Sequence, residues 1–151
     1  MNVVKPLLGL ALLCVASQAF AAGNCTIKLK GDDRMQYDLK TVTVSAGCPS
    51  INIELTHAGK LPVNVMGHNV VISLTSDINA VTSAGMKAGA AAGYVAKGDT
   101  HVIAATPLVG GGASTKAKFP GNKLKAGGDY SFFCSFPGHS GIMKGKLVVT
   151  K

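Results

Sequence analysis

Tryptophan is missing from this chain altogether, and Arg34 is its only arginine. The first absence removes the largest core filler and the usual intrinsic fluorophore. The second argues against a nucleic-acid reader, which concentrates basic charge and favours arginine. The charge is basic nonetheless, with 15 Lys and Arg residues against 7 acidic ones. The lysines are scattered singly, for instance at Lys28, Lys40, Lys60, Lys87, Lys116 and Lys144. That pattern reads as a solvated surface, useful for solubility or for steering an acidic partner. A membrane-length apolar run is also absent. The longest, from Pro6 to Val15, falls short of the roughly 20 residues a span requires. Gly110-Gly111-Gly112 lacks the Lys-Ser/Thr pair of a phosphate-binding loop.

What the N-terminus does contain is a secretory leader pattern. Lys5 precedes the short apolar run, and Ala19-Phe20-Ala21 supplies small residues around a cleavage site. Cleavage is expected after Ala21 or Ala22, leaving residues 23–151 as a single exported domain, in the periplasm. Export makes the cysteine count informative. Cys14 departs with the leader, and Cys25, Cys48 and Cys134 remain. In an oxidising compartment thiols pair unless something protects them. Cys25 and Cys48 adjoin the ends of strand-like segments and can bridge. Cys134 is then an intermolecular half-cystine, an accident or a metal-bound thiolate, and its neighbours favour the third.

Short β-rich runs punctuated by turn residues fill most of the mature chain. They are Thr26–Lys30, Thr41–Val44, Ile51–Leu55, Asn69–Leu74, His101–Ile103, Tyr130–Cys134 and Lys146–Val149. About seven strands with regular turns predict an all-β sandwich. Between Ser76 and Gly98 the chain is rich in Ala and Gly and loses the alternation, which predicts one short helix inside an excursion between strands.

The chemistry concentrates in Cys134-Ser-Phe-Pro-Gly-His139-Ser-Gly-Ile-Met143, which directly follows the apolar run Tyr130–Phe133. A second segment, Met66-Gly67-His68-Asn69, adds another imidazole. One thiolate, two imidazoles and a long axial thioether suit both oxidation states of copper, so little needs to move when an electron arrives. Cys134 would supply the thiolate, His68 and His139 the imidazoles and Met143 the weak axial ligand. The Gly67 carbonyl could approach from the other side. Pro137-Gly138 turns the chain back so that His139 can reach the metal. His57 and His101 read as structural and surface residues, respectively.

The Cys-x4-His-x3-Met loop, Val-Met-Gly-His-Asn and Phe-Phe-Cys-Ser-Phe-Pro-Gly-His together resemble the azurins, a branch of the cupredoxin family. Gly-Asp-Asp-Arg-Met-Gln-Tyr near the start, the Cys25 and Cys48 pair and the Lys-Leu-Lys-Ala-Gly-Gly-Asp-Tyr approach extend the likeness over the mature chain. The resemblance implies an eight-stranded Greek-key sandwich with a helical flap and a single type 1 (blue) copper. It implies a second shell in which Asn69 ties the two ligand loops together and the Phe136 amide bonds to the sulfur. It also implies an apolar docking patch of Met35, Met66, Met86, Phe136 and Pro137 around the edge of His139. The partners it suggests are redox proteins such as a c-type cytochrome, a nitrite reductase or an amine dehydrogenase, met by a monomer. His57 matches a family position near the copper. Val70 stands where some members carry a buried tryptophan.

Other functions fit the residues less well. Copper delivery calls for an exposed, exchangeable site rather than one thiolate fixed at a strand end. A zinc hydrolase needs an open position and a nearby base. A second catalytic copper needs more histidines than four. A cysteine protease would give Met143 no role. The expected function is therefore one-electron transfer, without enzymatic activity.

Overall fold

The computed structural model describes residues 23–151; the expected leader at 1–22 lies outside them. Alternation builds the first sheet. Strand β1 (Thr26–Asp32) turns Ile27, Leu29 and Gly31 inward. Strand β4 (Ser50–His57) does the same with Ile51, Ile53, Leu55 and His57. The short β2 (Gln36–Tyr37) and β7 (Ser114–Pro120) complete the order β2-β1-β4-β7. The second sheet has the order β3-β9-β8-β5-β6. Its strands are β3 (Thr41–Ser45), β5 (Val71–Leu74), β6 (Ala104–Ala105), β8 (Tyr130–Phe133) and β9 (Lys144–Thr150).

Two pairings, β1 with β4 and β3 with β9, are parallel. Parallel neighbours cannot be joined by a tight hairpin. The chain therefore crosses between the sheets, entering the second at β3, returning at β4 and crossing again at β5. This is the cupredoxin-type sandwich. Ile27, Leu29, Ile53 and Leu55 from one sheet meet Val44, Ile72, Phe132 and Leu147 from the other. Each such side chain contributes about 1.5–3 kcal/mol by leaving water. Phe132 also meets Tyr37 edge-on, with ring centroids 5.5 Å apart.

A smaller cluster of Val71, Val81 and Phe133 lies on the outer side of the second sheet, with Ile78 against it. Helix α2 (Ile78–Ala88) supplies Ile78 and Val81. Strand β8 is therefore buried on both faces, which is why its sequence, Tyr-Ser-Phe-Phe, is uncharged and mostly apolar and does not alternate. Gly89 ends α2 with a positive φ of 75°, a backbone conformation that favours glycine, and its N–H returns to the Gly85 carbonyl. A 3-10 turn follows at Ala90–Ala92. The predicted helix thus exists, and it stops before the end of the Ala-rich segment. The Cys25–Cys48 disulfide joins the start of β1 to the turn before β4. Closing a loop of this length stabilises the fold by about 3 kcal/mol.

The structure corrects several details. Nine strand segments are present among the described residues where eight were expected; β2 and β6 have two residues each. His101–Ile103 is not a strand. Asp99 accepts the His101 amide at 2.9 Å and its ring at 2.8 Å, and this local turn displaces the strand to Ala104–Ala105. Strand β5 begins at Val71, not at Asn69. One turn of helix at Val63–Met66 (α1) was not anticipated. Strand β7 was missed because its outward positions are Ser114, Lys116 and Lys118, and of the inward Thr115, Ala117 and Phe119 only the last is a large apolar residue.

Candidate metal centre

Cys134 follows immediately after β8 and is fully buried. Its N–H donates to the Met143 carbonyl at 3.0 Å. The His139 N–H donates to the Phe136 carbonyl at 3.0 Å, and the Met143 N–H to the His139 carbonyl at 2.8 Å. Gly138 takes φ 80°, which reverses the chain between these bonds. Residues 134–143 are therefore a closed series of tight turns, and His139 and Met143 fold back over the sulfur's end of the strand. His68 reaches the same place from the other loop, where a two-way backbone bridge to Val109, 2.9 Å in each direction, holds it.

The donor atoms of His68, Cys134 and His139 all lie within 4.8 Å of one another, and all three residues are buried. The Cys134 Sγ is 3.5 Å from His139 Nδ1, 4.0 Å from His68 Nδ1 and 3.7 Å from the Gly67 carbonyl oxygen. Met143 is fully buried beside them.

Both His68 ring nitrogens lie against carbonyls: Nε2 is 2.8 Å from that of Asp32 and Nδ1 is 3.0 Å from that of Gly67. A neutral imidazole carries one N–H and can serve only one of them. With the proton on Nε2, the Nδ1 lone pair and the Gly67 oxygen both border the buried cluster, where a cation would satisfy them. Burial pushes the His139 ring down to about 4, with the neighbouring His68 and His57 adding to the effect. Burial also lowers His68, against the pull of the Asp32 carbonyl. Both rings therefore stay neutral at neutral pH and keep a ligating lone pair.

Burial pushes the Cys134 thiol up to about 11, while the amides of Asn69 and Phe136 act in the opposite sense by pointing at the sulfur. Two N–H donors aimed at one sulfur favour its anionic form, which a bound metal ion would stabilise outright. A soft sulfur, two neutral imidazoles and no water-facing position match the donor chemistry of copper.

The His139 shift predicts a pH dependence for the metal-free protein. An unfolded histidine takes up its proton near 6.5, whereas the folded ring waits until about 4. Between these values the unfolded state binds more protons, so stability falls as pH falls. Denaturation midpoints measured from pH 7 to pH 4 should decline across this window, and a His139→Phe variant should flatten the decline.

The surroundings can be placed too. Asn69 is fully buried; its Oδ1 accepts the Ser135 N–H at 2.9 Å, and its Nδ2 donates to Ser135 Oγ at 2.9 Å and to the Gly93 carbonyl at 3.2 Å. It thus joins the His68 loop to the Cys134 loop. Phe136 packs beside His139 with ring centroids 4.6 Å apart. His139 is 2 % exposed, so its edge barely reaches solvent. Met35, Met66, Phe136 and Pro137 are half-buried, and Met86 is exposed. Val70 is fully buried in the core. His101 lies on the surface against Asp99.

Three features were not read from the sequence. The Asn69 amide is a second donor to the sulfur. His57 stacks on His68, centroids 4.1 Å apart and planes 13° from parallel, with Gly59 N–H on its Nδ1 and the Met66 carbonyl on its Nε2. Gly31 forms part of the wall. A Cβ there would come within 2.8 Å of Met143 Cε and 2.9 Å of His68 Cδ2. Only the inward alternation of β1 could have hinted at that residue.

Comparison with known proteins agrees with this geometry. The family described as "Copper binding proteins, plastocyanin/azurin family" matches residues 23–150. An azurin of Bordetella pertussis is 47 % identical over 139 residues, 92 % of this chain and 93 % of that one. An azurin of Alcaligenes faecalis is 50 % identical over 123 residues, 82 % and 96 % of the two chains. That of Pseudomonas aeruginosa is 40 % identical over 146 residues, 97 % and 99 %. The solved structure of an azurin (Az-iso2) from Methylomonas sp. strain J superposes with a TM-score of 0.80 at 36 % identity, covering 84 % of this chain and 98 % of the other. With the fold, the buried His-Cys-His cluster and these relatives in agreement, the chain belongs to the plastocyanin/azurin family of copper-binding proteins.

Proposed function

We propose that the chain would hold one copper ion through His68, Cys134 and His139, with the Gly67 carbonyl and the Met143 thioether as weaker donors. Bound there, the ion supplies a one-electron Cu(II)/Cu(I) couple. The protein is an electron carrier and not an enzyme, as its family membership implies. The observation that carries the reading is the convergence of two imidazole nitrogens, one thiol sulfur and one carbonyl oxygen in a buried space.

The chain's own groups account for the carrier behaviour. The two imidazoles need not lose a proton to bind. Asn69 and the turns of 134–143 hold the donors in place before and after the electron moves, so reorganisation is small. The amides of Asn69 and Phe136 stabilise charge on the sulfur. Burial excludes water and with it side reactions.

The test is a visible and EPR spectrum of the purified copper-loaded protein. An intense blue thiolate-to-copper band is expected; a colourless protein would overturn the assignment. Met143→Leu should keep the colour and raise the potential. The change removes an electron-donating sulfur and leaves a drier, more apolar site, both of which favour the lower charge of Cu(I). A rise of several tens of millivolts is expected by voltammetry, since a tenfold change in a one-electron equilibrium is about 59 mV. Loss of all copper binding would show that Met143 is not a weak donor.

Within this reading the protein is a monomer exported to the periplasm with its leader removed. The leader-like N-terminus and the Cys25–Cys48 disulfide support export. Met35, Met66, Met86, Phe136 and Pro137 form the docking patch. Exposed Met86 and the Phe136 ring against His139 support it. Its partners are redox proteins of the kind suggested by the resemblance, a c-type cytochrome, a nitrite reductase or an amine dehydrogenase.

A further inference from the structure

We infer that a second surface, formed by Leu39, Lys40, Ile142, Lys144 and Lys146, docks the acidic surface of a redox protein. This inference rests on the electron-carrier reading and adds a place and a chemistry for the partner. The five residues come from two chain segments that the fold brings side by side. The Lys146 N–H donates to the Lys40 carbonyl at 2.8 Å, and Lys40 Nζ lies 3.4 Å from the Ile142 carbonyl oxygen. Strands β3 and β9 run parallel from there, with Thr41 opposite Lys146.

The patch has the two components that a specific transient interface needs, an apolar anchor and a charged rim. Ile142 is 52 % exposed and Leu39 44 %, among the largest apolar exposures among the described residues. Lys40, Lys144 and Lys146 are all exposed, and none of them forms an ion pair among the described residues. Two acids stand near: Asp38, which accepts the Lys30 amide at 2.8 Å, and Asp129, which accepts the Thr75 hydroxyl at 3.1 Å and shares a groove with Lys144 and Lys146. Neither forms an ion pair with the three lysines among the described residues, so the patch keeps a net positive charge toward a carboxylate-bearing partner.

The other lysine-bearing face is less suited. Lys28, Lys116 and Lys118 project from the first sheet, but Lys116 is paired with Glu54 at 3.0 Å and no large exposed apolar residue stands among them. A membrane is also a poorer fit for the proposed patch, which has no aromatic residue to sit at a lipid interface.

The position suits electron exchange. Ile142 and Lys144 flank buried Met143, whose carbonyl accepts the Cys134 N–H at 3.0 Å. A partner seated on this surface is one residue from the metal cluster. One electron passes between carrier and partner, with no bond made or broken.

The test is an amide NMR titration of the Cu(I)-loaded mature protein with poly-L-glutamate at low salt. Shifts at Lys40, Ile142, Lys144 and Lys146 should exceed those at Lys28, Lys116 and Lys118 by at least threefold and vanish at high salt. A Lys40→Gln, Lys144→Gln, Lys146→Gln variant should lose the selectivity while keeping its blue band on oxidation. Larger shifts on the first sheet, or equal shifts at every lysine, would overturn the proposal. So would binding to phosphatidylglycerol vesicles through these lysines in the absence of any poly-L-glutamate effect. The titration maps the surface whether or not the metal exchanges electrons. A missing blue band would therefore sink the carrier reading, whereas a wrong map would sink only this one.

Discussion

Replacing Cys134 with serine is expected to abolish the blue absorption of the copper-loaded protein and to weaken copper binding by more than tenfold. The side chain is fully buried at the meeting point of both histidines, and the amides of Asn69 and Phe136 point at its sulfur. A hydroxyl is harder, is far less readily ionised and has no low-energy sulfur electrons to donate, so both the anionic ligand and the chromophore go. The backbone bond from residue 134 to the Met143 carbonyl survives, because it uses only the amide. The metal-free variant should therefore fold, with a stability change of about 1 kcal/mol and an unchanged far-ultraviolet dichroism spectrum. Visible absorption and a copper titration against a chelator would check this. A variant that stays blue would mean that another residue supplies the thiolate-like band, and the proposed ligand set would fail.

The second large effect should come from Asn69→Leu. Leucine keeps the bulk but removes one acceptor and two donated bonds from a fully buried position. The Ser135 amide, the Ser135 hydroxyl and the Gly93 carbonyl would each lose a partner. A buried polar group left unsatisfied costs about 1–3 kcal/mol, and these three share one network, so a total near 3 kcal/mol is expected. For a domain of this size that lowers the melting temperature by roughly 10 °C. The bonds also join the two loops that carry the donors, so the blue band should broaden or shift as well. Calorimetry and the visible spectrum would measure both. A loss below 1 kcal/mol with an unchanged spectrum would show that the loops are held by other means.

Much of this protein could be read before its structure was in hand, for a physical reason. The metal-site chemistry depends on rare residue types at fixed short spacings, and Cys134, His139 and Met143 sit on a single loop where spacing is geometry. His68 was readable because it too is a rare type, whereas Asn69 was named only through the family resemblance. Contributors with no functional side chain were not readable. Gly31 matters through the atom it lacks, and the Asn69 amide matters through its backbone direction. The stacking of His57 on His68 depends on how residues 58–67 fold back, with the Met66 carbonyl on His57 Nε2, which spacing alone does not show. In the fold, the doubly buried β8 announced itself as an apolar run, whereas β7 hid behind its lysines. At residues 101–103 a carboxylate turn overrode β-propensity.

Under the proposed export, the linear order of the three cysteines at 25, 48 and 134 has a consequence for biosynthesis. Cys25 and Cys48 are bonded 23 positions apart, near the end of the chain that would emerge first during export, while Cys134 lies far downstream and ends up fully enclosed. Vectorial delivery would let the first two meet an oxidant and close while the third is still on the other side of the membrane. The remaining thiol then arrives with no free cysteine left to capture it, and folding hides it from later oxidation. The same ordering predicts that in a Cys48→Ala chain the stranded Cys25 would compete for the sulfur reserved for the metal.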